Sequence, residues 1–216
     1  MCLILLAWRP GQPLIVAANR DEFHARPALP AAFWPDRPGI LAGRDLEARG
    51  TWMGISRSGR FAAVTNYRGS REPRALESRG AIVTRFLDAD ESIGACVAVL
   101  QERAASYSGF NLVAAHGEEL WWMSNRGGAP RRLAPGLYGL GNALLDAPEV
   151  EAHKERFARA LQSGAAVEPL FAVLEAARIV DPAYGTRCST VLIGRRYVER
   201  TFAPEGEALD TVHYQL

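Results

Sequence analysis

The stretch Met1-Cys2-Leu3-Ile4-Leu5-Leu6-Ala7-Trp8-Arg9-Pro10-Gly11-Gln12-Pro13-Leu14-Ile15-Val16-Ala17-Ala18-Asn19-Arg20-Asp21-Glu22 decides the fold. Two apolar runs of strand length flank Arg9-Pro10-Gly11-Gln12-Pro13, a strong turn signal. A hairpin centred on Gly11 pairs position i with 22 minus i, which sets Cys2 opposite Arg20. Directly opposite residues have Cβ atoms about 4.5–5.5 Å apart. Removal of Met1 would leave Cys2 with a free amine beside its own thiol. The thiolate is the attacking species, and an α-amine titrating at about 7.7–8.0 can serve as its base. Arg20 would favour the thiolate by charge. Asp21 could either hold the terminal ammonium or orient Arg20. Without Cys2 opposite, Asn19-Arg20-Asp21-Glu22 would read as a solvated strand end with internal ion pairs.

Strands that are apolar on both faces (Cys2–Trp8, Leu14–Ala18 and Val191–Ile193) must be covered on both sides. Further strands are expected at Ile40–Ala42, Trp52–Ser56, Phe61–Asn66, Phe110–Ala115, Leu120–Ser124, Leu137–Asn142, Ser189–Gly194, Tyr197–Phe202 and Thr211–Leu216. Ser78 and Ser92 are each expected to cap a helix, with apolar faces Ile82, Val83, Phe86, Leu87 and Ile93, Cys96, Val97, Leu100, Ala104. Two more helices span about Glu149–Gln162 and the stretch bearing Val167, Leu170, Phe171 and Leu174, where Pro169 is tolerable in the first turn. The proline-rich His24–Gly39 reads as an ordered loop packed over the hairpin. The order strands, two helices, strands, two helices, strands implies an α+β class. The expected architecture is a four-layer αββα sandwich of two mainly antiparallel sheets, forming one domain over residues 1–216. Short turns and the lack of βαβ alternation argue against a doubly wound parallel sheet.

Bulk properties narrow the function. A net charge of +1 gives no electrostatic reason to expect nucleic acid or an anionic membrane surface. Cys2, Cys96 and Cys188 form no CxxC pair, and His24, His116, His153 and His213 show no metal-ligand spacing. The first apolar run is too short for a signal peptide or a membrane span, so the chain reads as cytoplasmic and reduced.

Polar strand ends supply the other candidates. Asn66-Tyr67 and Asn142 close strands, and an asparagine amide there can donate to a developing oxyanion. Taken singly, each asparagine reads more readily as a turn residue. Gly139 and Gly141 would let a ligand approach the backbone. Arg187 enters a buried strand and needs either a structural ion pair or a ligand carboxylate.

Ala18-Asn19-Arg20-Asp21-Glu22-Phe23 resembles the signature of the NRDE family, also called the transport and Golgi organisation protein 2 family. The likeness continues through Arg26-Pro27, Phe33-Trp34, Gly50–Ser56, Val64–Tyr67, Gly109–Leu112, Asn125–Gly127, Tyr138–Leu145 and Tyr184–Arg187. It implies an N-terminal nucleophile hydrolase fold. More distantly the site resembles that of choloylglycine and penicillin V acylases. That resemblance implies catalytic roles for Cys2, Arg20, Asp21, Asn142 and Arg187, with Asn19, Glu22, Asn66 and Tyr67 as substrate-binding candidates. The chain departs from the acylases in reading Asn-Arg-Asp, where they place the arginine before the asparagine. The implied activity is hydrolysis of an amide or thioester acyl group, with no cofactor required. The family's association with haem trafficking, acyl-coenzyme A and lipid homeostasis implies an alternative, a non-enzymatic carrier of haem or acyl-coenzyme A. Cys2 or His24 would then be the axial haem ligand. A degenerate hydrolase fold serving as an assembly surface is a third reading.

Overall fold

A computed structural model describes residues 2–69, 76–162 and 164–216. Its strands are β1 (Leu3–Trp8), β2 (Ile15–Phe23), β3 (Ala28–Trp34), β4 (Arg37–Asp45), β5 (Met53–Ser56), β6 (Phe61–Asn66) and β7 (Phe110–His116). They continue as β8 (Glu119–Ser124), β9 (Arg131–Arg132), β10 (Gly136–Leu140), β11 (Tyr184–Ile193), β12 (Arg196–Phe202) and β13 (Ala208–Gln215). The helices are α1 (Arg79–Asp88), α2 (Ile93–Glu102), α3 (Pro148–Gln162) and α4 (Val167–Glu175). Contacts group these elements into two compact units.

The first unit comprises the chain through Arg26, Pro135–Gly141 and Leu145–Leu216. Its antiparallel sheet has the order β10-β1-β2-β11-β12-β13. Leu3, Leu5, Ala17, Val191 and Val198 pack against Val150 and Phe157 of α3 and Leu170, Phe171 and Leu174 of α4. The alternate residues Ile4, Leu6, Val16 and Leu192, on the opposite face, are buried as well. This accounts for the unbroken apolar reading of these strands. The hairpin has the expected register: Leu3 faces Asn19, Leu5 faces Ala17 and Ala7 faces Ile15. Its turn closes with Gln12 N–H on the Arg9 carbonyl at 3.1 Å, and Gly11 takes the left-handed conformation (φ 71°) that the turn requires.

The second unit comprises Pro27–Ala134 and Asn142–Leu144, with the antiparallel sheet β3-β4-β5-β6-β7-β8-β9. Ile82, Val83, Phe86 and Leu87 of α1 and Ile93, Val97 and Leu100 of α2 pack on Ile40, Ala42, Ala62, Leu112, Ala114 and Met123. Both helices start where expected. Ser78 Oγ accepts from Gly80 N–H and Ser92 Oγ from Ala95 N–H, each satisfying a donor that the first turn leaves free. Arg60 is buried against the end of α1, donating to the Phe86 and Glu91 carbonyls at 2.7 Å each.

One expectation fails outright. His24–Gly39 is not a loop over the hairpin; most of it forms β3 and the start of β4 in the second unit's sheet. Pro30 is tolerated because β3 is the edge strand and the register shifts between Leu29 and Ala32, while Pro27 and Pro35 fall just outside β3 and Pro38 at the start of β4. Several boundaries also move: β2 runs on to Phe23, β4 extends over Arg37–Asp45, β11 starts at Tyr184, β13 at Ala208, and β10 stops at Leu140.

Candidate active site

The hairpin register, extended by one residue, carries Cys2 opposite Arg20. The sulfur contacts main chain, however: Cys2 Sγ donates to the Asp21 carbonyl and accepts from Asp21 N–H, both at 3.4 Å. Burial pushes the Cys2 thiol above its ordinary range, and the Asp21 carboxylate pushes it further. The Asp21 N–H and the Arg20 guanidinium pull the other way and are outweighed. The expected sign of the Arg20 effect is right, but desolvation of the charged form wins. Met1, whose removal would expose the Cys2 amine, lies outside the described residues.

Alternation along β2 splits the signature. Asn19 and Asp21 lie on the side of Ala17, toward the helices; Arg20 and Glu22 lie on the other. Asn19 is committed to the fold: Nδ2 donates to the Leu174 carbonyl at the end of α4 (2.9 Å), and Oδ1 accepts from Ser189 Oγ (2.6 Å). That replaces the substrate-binding role expected of it. Asp21 Oδ1 accepts from Thr186 Oγ1 at 2.6 Å, and that hydroxyl oxygen accepts from Ile179 N–H at 2.9 Å. Glu22 Oε2 stands 3.9 Å from both the Arg20 and the Arg26 guanidinium, and its Oε1 accepts from Phe23 N–H.

Among the described residues Arg187 has no ion pair, and its Nη1 is not aimed at an open ligand site. That nitrogen donates to the carbonyls of Phe23, His24 and Arg26 at 3.1–3.3 Å, tying down the turn after β2. Arg187 sits in a register shift between Thr186 and Cys188, and such an extra residue re-aims a side chain. Partial burial and the nearby Arg20 guanidinium lower its pKa.

In the second unit, Asn142 Nδ2 donates to the Asn66 carbonyl at 2.8 Å, and the Asn142 carbonyl accepts from Arg68 N–H at 2.7 Å. An amide nitrogen carries two hydrogens, so a second remains for a ligand. Asn66 itself is exposed, and Tyr67 is half-buried with its N–H on the Gly109 carbonyl. Sequence reasoning missed Asn111. Fully buried, it donates from Nδ2 to Thr65 Oγ1 (3.2 Å) and to the Ala143 carbonyl (2.9 Å), pinning the segment that carries Asn142. Its Oδ1 has no hydrogen-bond partner among the described residues. The available signal was a lone amide inside the apolar run Phe110–Ala115.

Gly139 serves packing rather than ligand approach. A Cβ there would stand 2.7 Å from Val150 Cγ2 of α3. Neither residue expected to ligate haem offers an open axial position. His24 Nε2 is on the Asp181 carbonyl at 3.0 Å, and the Cys2 sulfur is enclosed by Asp21 main chain, so the residues do not fit an axially ligated haem. Among the described residues no group of three or more His, Cys, Asp or Glu side chains is arranged to hold a metal ion. Nor is any described helix long and apolar enough to cross a membrane.

The fold is shared with solved structures. A variant of the conjugated bile acid hydrolase of Clostridium perfringens superimposes with a TM-score of 0.61 at 9% identity, covering 100% of this chain and 97% of that one. The Caenorhabditis elegans ortholog of N-acylethanolamine-hydrolyzing acid amidase gives 0.58 at 10% identity, covering 89% and 93%. The class is therefore the α+β fold of these two hydrolases, with two antiparallel sheets and, among the described residues, four α-helices. Sequence narrows it further. The family model described as Transport and Golgi organisation 2 matches residues 1–182. The Transport and Golgi organization protein 2 homolog of Bos taurus is 38% identical over 223 aligned residues, 92% of this chain and 79% of the relative. The Drosophila melanogaster protein is 34% identical, covering 76% and 65%. The chain belongs to the Transport and Golgi organisation 2 family.

Proposed function

We propose that the protein is an N-terminal cysteine hydrolase, cleaving an amide or thioester acyl bond through Cys2 once Met1 is removed. The observation that carries this reading is the two-way contact of Cys2 Sγ with the Asp21 main chain, in a register that brings Arg20 opposite. A nucleophile must be held near its attack geometry, and two main-chain contacts restrict this sulfur. Because burial keeps the thiol protonated, attack needs a base, and the Cys2 amine is the natural one.

In the proposed sequence Sγ bonds to the acyl carbon while its proton passes to the amine. The carbonyl becomes an oxyanion, for which Asn142 is the donor implied by the acylase resemblance. The ammonium then protonates the departing nitrogen or sulfur, and the C–N or C–S bond breaks. Water, deprotonated by the same amine, attacks the resulting thioester and releases the acid and the Cys2 thiol.

The test incubates trimmed protein with acyl amides and acyl thioesters and seeks an acyl adduct on Cys2 by mass spectrometry. We expect the adduct and its loss in Cys2→Ala; full activity in Cys2→Ala would refute the reading. A second reading rests on the guanidinium groups of Arg20 and Arg26 set around Glu22, which suit carboxylates or phosphates. On that reading the chain carries acyl-coenzyme A, or haem through its propionates, without turnover. Failure to bind either below about 100 μM, an affinity near 5.5 kcal/mol, would count against it.

A further inference from the structure

Glu199 is a buried carboxylate that the mechanism above does not use. Only 1% of it is exposed, and its Oε2 accepts from Thr190 Oγ1 at 3.2 Å. Its position follows from the register. Glu199 pairs with Thr190, which pairs with Ala18; two residues along, Thr201 pairs with Cys188, which pairs with Arg20. Val198 faces the helices, so Glu199 lies on the opposite face, with Thr190, Cys188 and Arg20. The residues between Arg20 and Glu199 on this face are Ala18, Cys188 and Thr190, all small. Two long side chains can therefore lie across the sheet toward one another.

Both charges are felt between them. Burial pushes the Cys188 thiol well above its ordinary range; Glu199 raises it further, while Arg20 draws it down. Tyr197, also buried on this face, is raised by burial and by Glu199. Arg20, 7% exposed, has Glu22 at the long distance of 3.9 Å, and Glu22 is shared with Arg26 and partly open to solvent. A buried guanidinium and a buried carboxylate on one sheet face are each costly alone. The charged and titratable groups on the Glu199 face of strands β2, β11, β12 and β13 include Arg20 on β2, Cys188 on β11, Tyr197 on its own strand β12, and Asp210 and Tyr214, opposite Thr201 and Tyr197, on β13.

We infer that Glu199 is a positioning residue of the Cys2 site: the buried counter-charge that holds and neutralises Arg20 across the small residues of β2 and β11. The inference rests on the Cys2 reading, but its test does not require turnover. The readout is the pH midpoint of Cys2 alkylation, mapped by peptide mass spectrometry on protein of verified N-terminus. With Glu199→Gln the guanidinium loses its buried counter-charge and keeps only the longer contact with Glu22, and the Cys2 midpoint falls. Labelling at neutral pH then rises roughly three- to tenfold, as a fall of about half to one pH unit requires. Glu199→Asp keeps the midpoint of the parent, and in an Arg20→Gln background Glu199→Gln moves nothing. A Glu199→Gln protein that melts lower with an unmoved midpoint overturns the proposal, as does a shift that survives Arg20→Gln. Should Glu199→Gln fail to fold, a carboxyl-carbon NMR titration of the intact protein decides. An ionised Glu199 at neutral pH is expected, and a protonated one refutes the counter-charge. Absence of acyl turnover in a protein that shows the midpoint shift refutes the hydrolase reading alone.

Discussion

Asn19→Ala offers the sharpest test of how the signature is divided between fold and chemistry. The side chain is 3% exposed, and both ends of its amide are engaged, on the Leu174 carbonyl and the Ser189 hydroxyl. Truncation leaves the Ser189 hydroxyl buried without its partner, at about 1–3 kcal/mol, and takes one bond from the Leu174 carbonyl, which keeps the Ala177 N–H at 3.0 Å. The expected loss is therefore about 1–4 kcal/mol, a substantial share of a typical domain's stability. For a chain of this size about 3 kcal/mol lowers the melting temperature by about 6–12 °C. Urea and thermal unfolding followed by circular dichroism measure it. Adding Ser189→Ala to Asn19→Ala should cost little more, since its hydroxyl is already orphaned. A single variant within about 0.5 kcal/mol of the parent would refute the assignment of Asn19 to the fold, because only surface positions behave so.

The fold should also weaken in alkali. Cys188 and Tyr197 are raised well above their ordinary 9.0 and 10.0 by burial, with Glu199 adding to both. Raised folded values mean that their contribution is full below about pH 9 and is lost as pH rises through the folded values. The urea midpoint should fall above that pH, and Tyr197→Phe should flatten the fall. Arg60→Ala removes two 2.7 Å bonds from a buried guanidinium to the carbonyls of Phe86 and Glu91, and should lower stability by about 2–4 kcal/mol in chemical denaturation. Gly139→Ala drives a methyl to 2.7 Å from Val150 Cγ2, so about 1–3 kcal/mol of overpacking is expected, relieved in part by Val150→Ala in a double-mutant cycle.

What the sequence made legible was local. The hairpin register followed from a proline-glycine turn between equal apolar runs, and the helices α1 and α2 from Ser78 and Ser92. Strand β3 was hidden because Pro27, Pro30 and Pro35 read as loop, whereas an edge strand has a side that needs no donors. Arg187 was flagged, but its carbonyl cradle depends on a register irregularity that leaves no mark in the residues themselves. Glu199 stayed invisible for a related reason. In Tyr197–Phe202 it alternates with apolar Val198 and Phe202, a pattern that normally marks a solvent face. Only the pairing of β12 with β11 shows that its neighbours are a cysteine, a threonine and an arginine's path.

The turn at Gly11 lies nine residues from Cys2, and the six residues of β1 between them span roughly 20 Å at strand rise. Since Leu3 to Leu6 are apolar on either side, sliding β1 by one place would not expose a polar residue to a greasy surface; oil alone cannot index this strand. The loop between the strands is thus the ruler for the whole hairpin. Lengthening it by a single residue far from the sulfur would displace Cys2 by one notch and present it to the helix side of the sheet, with every active-site side chain still intact.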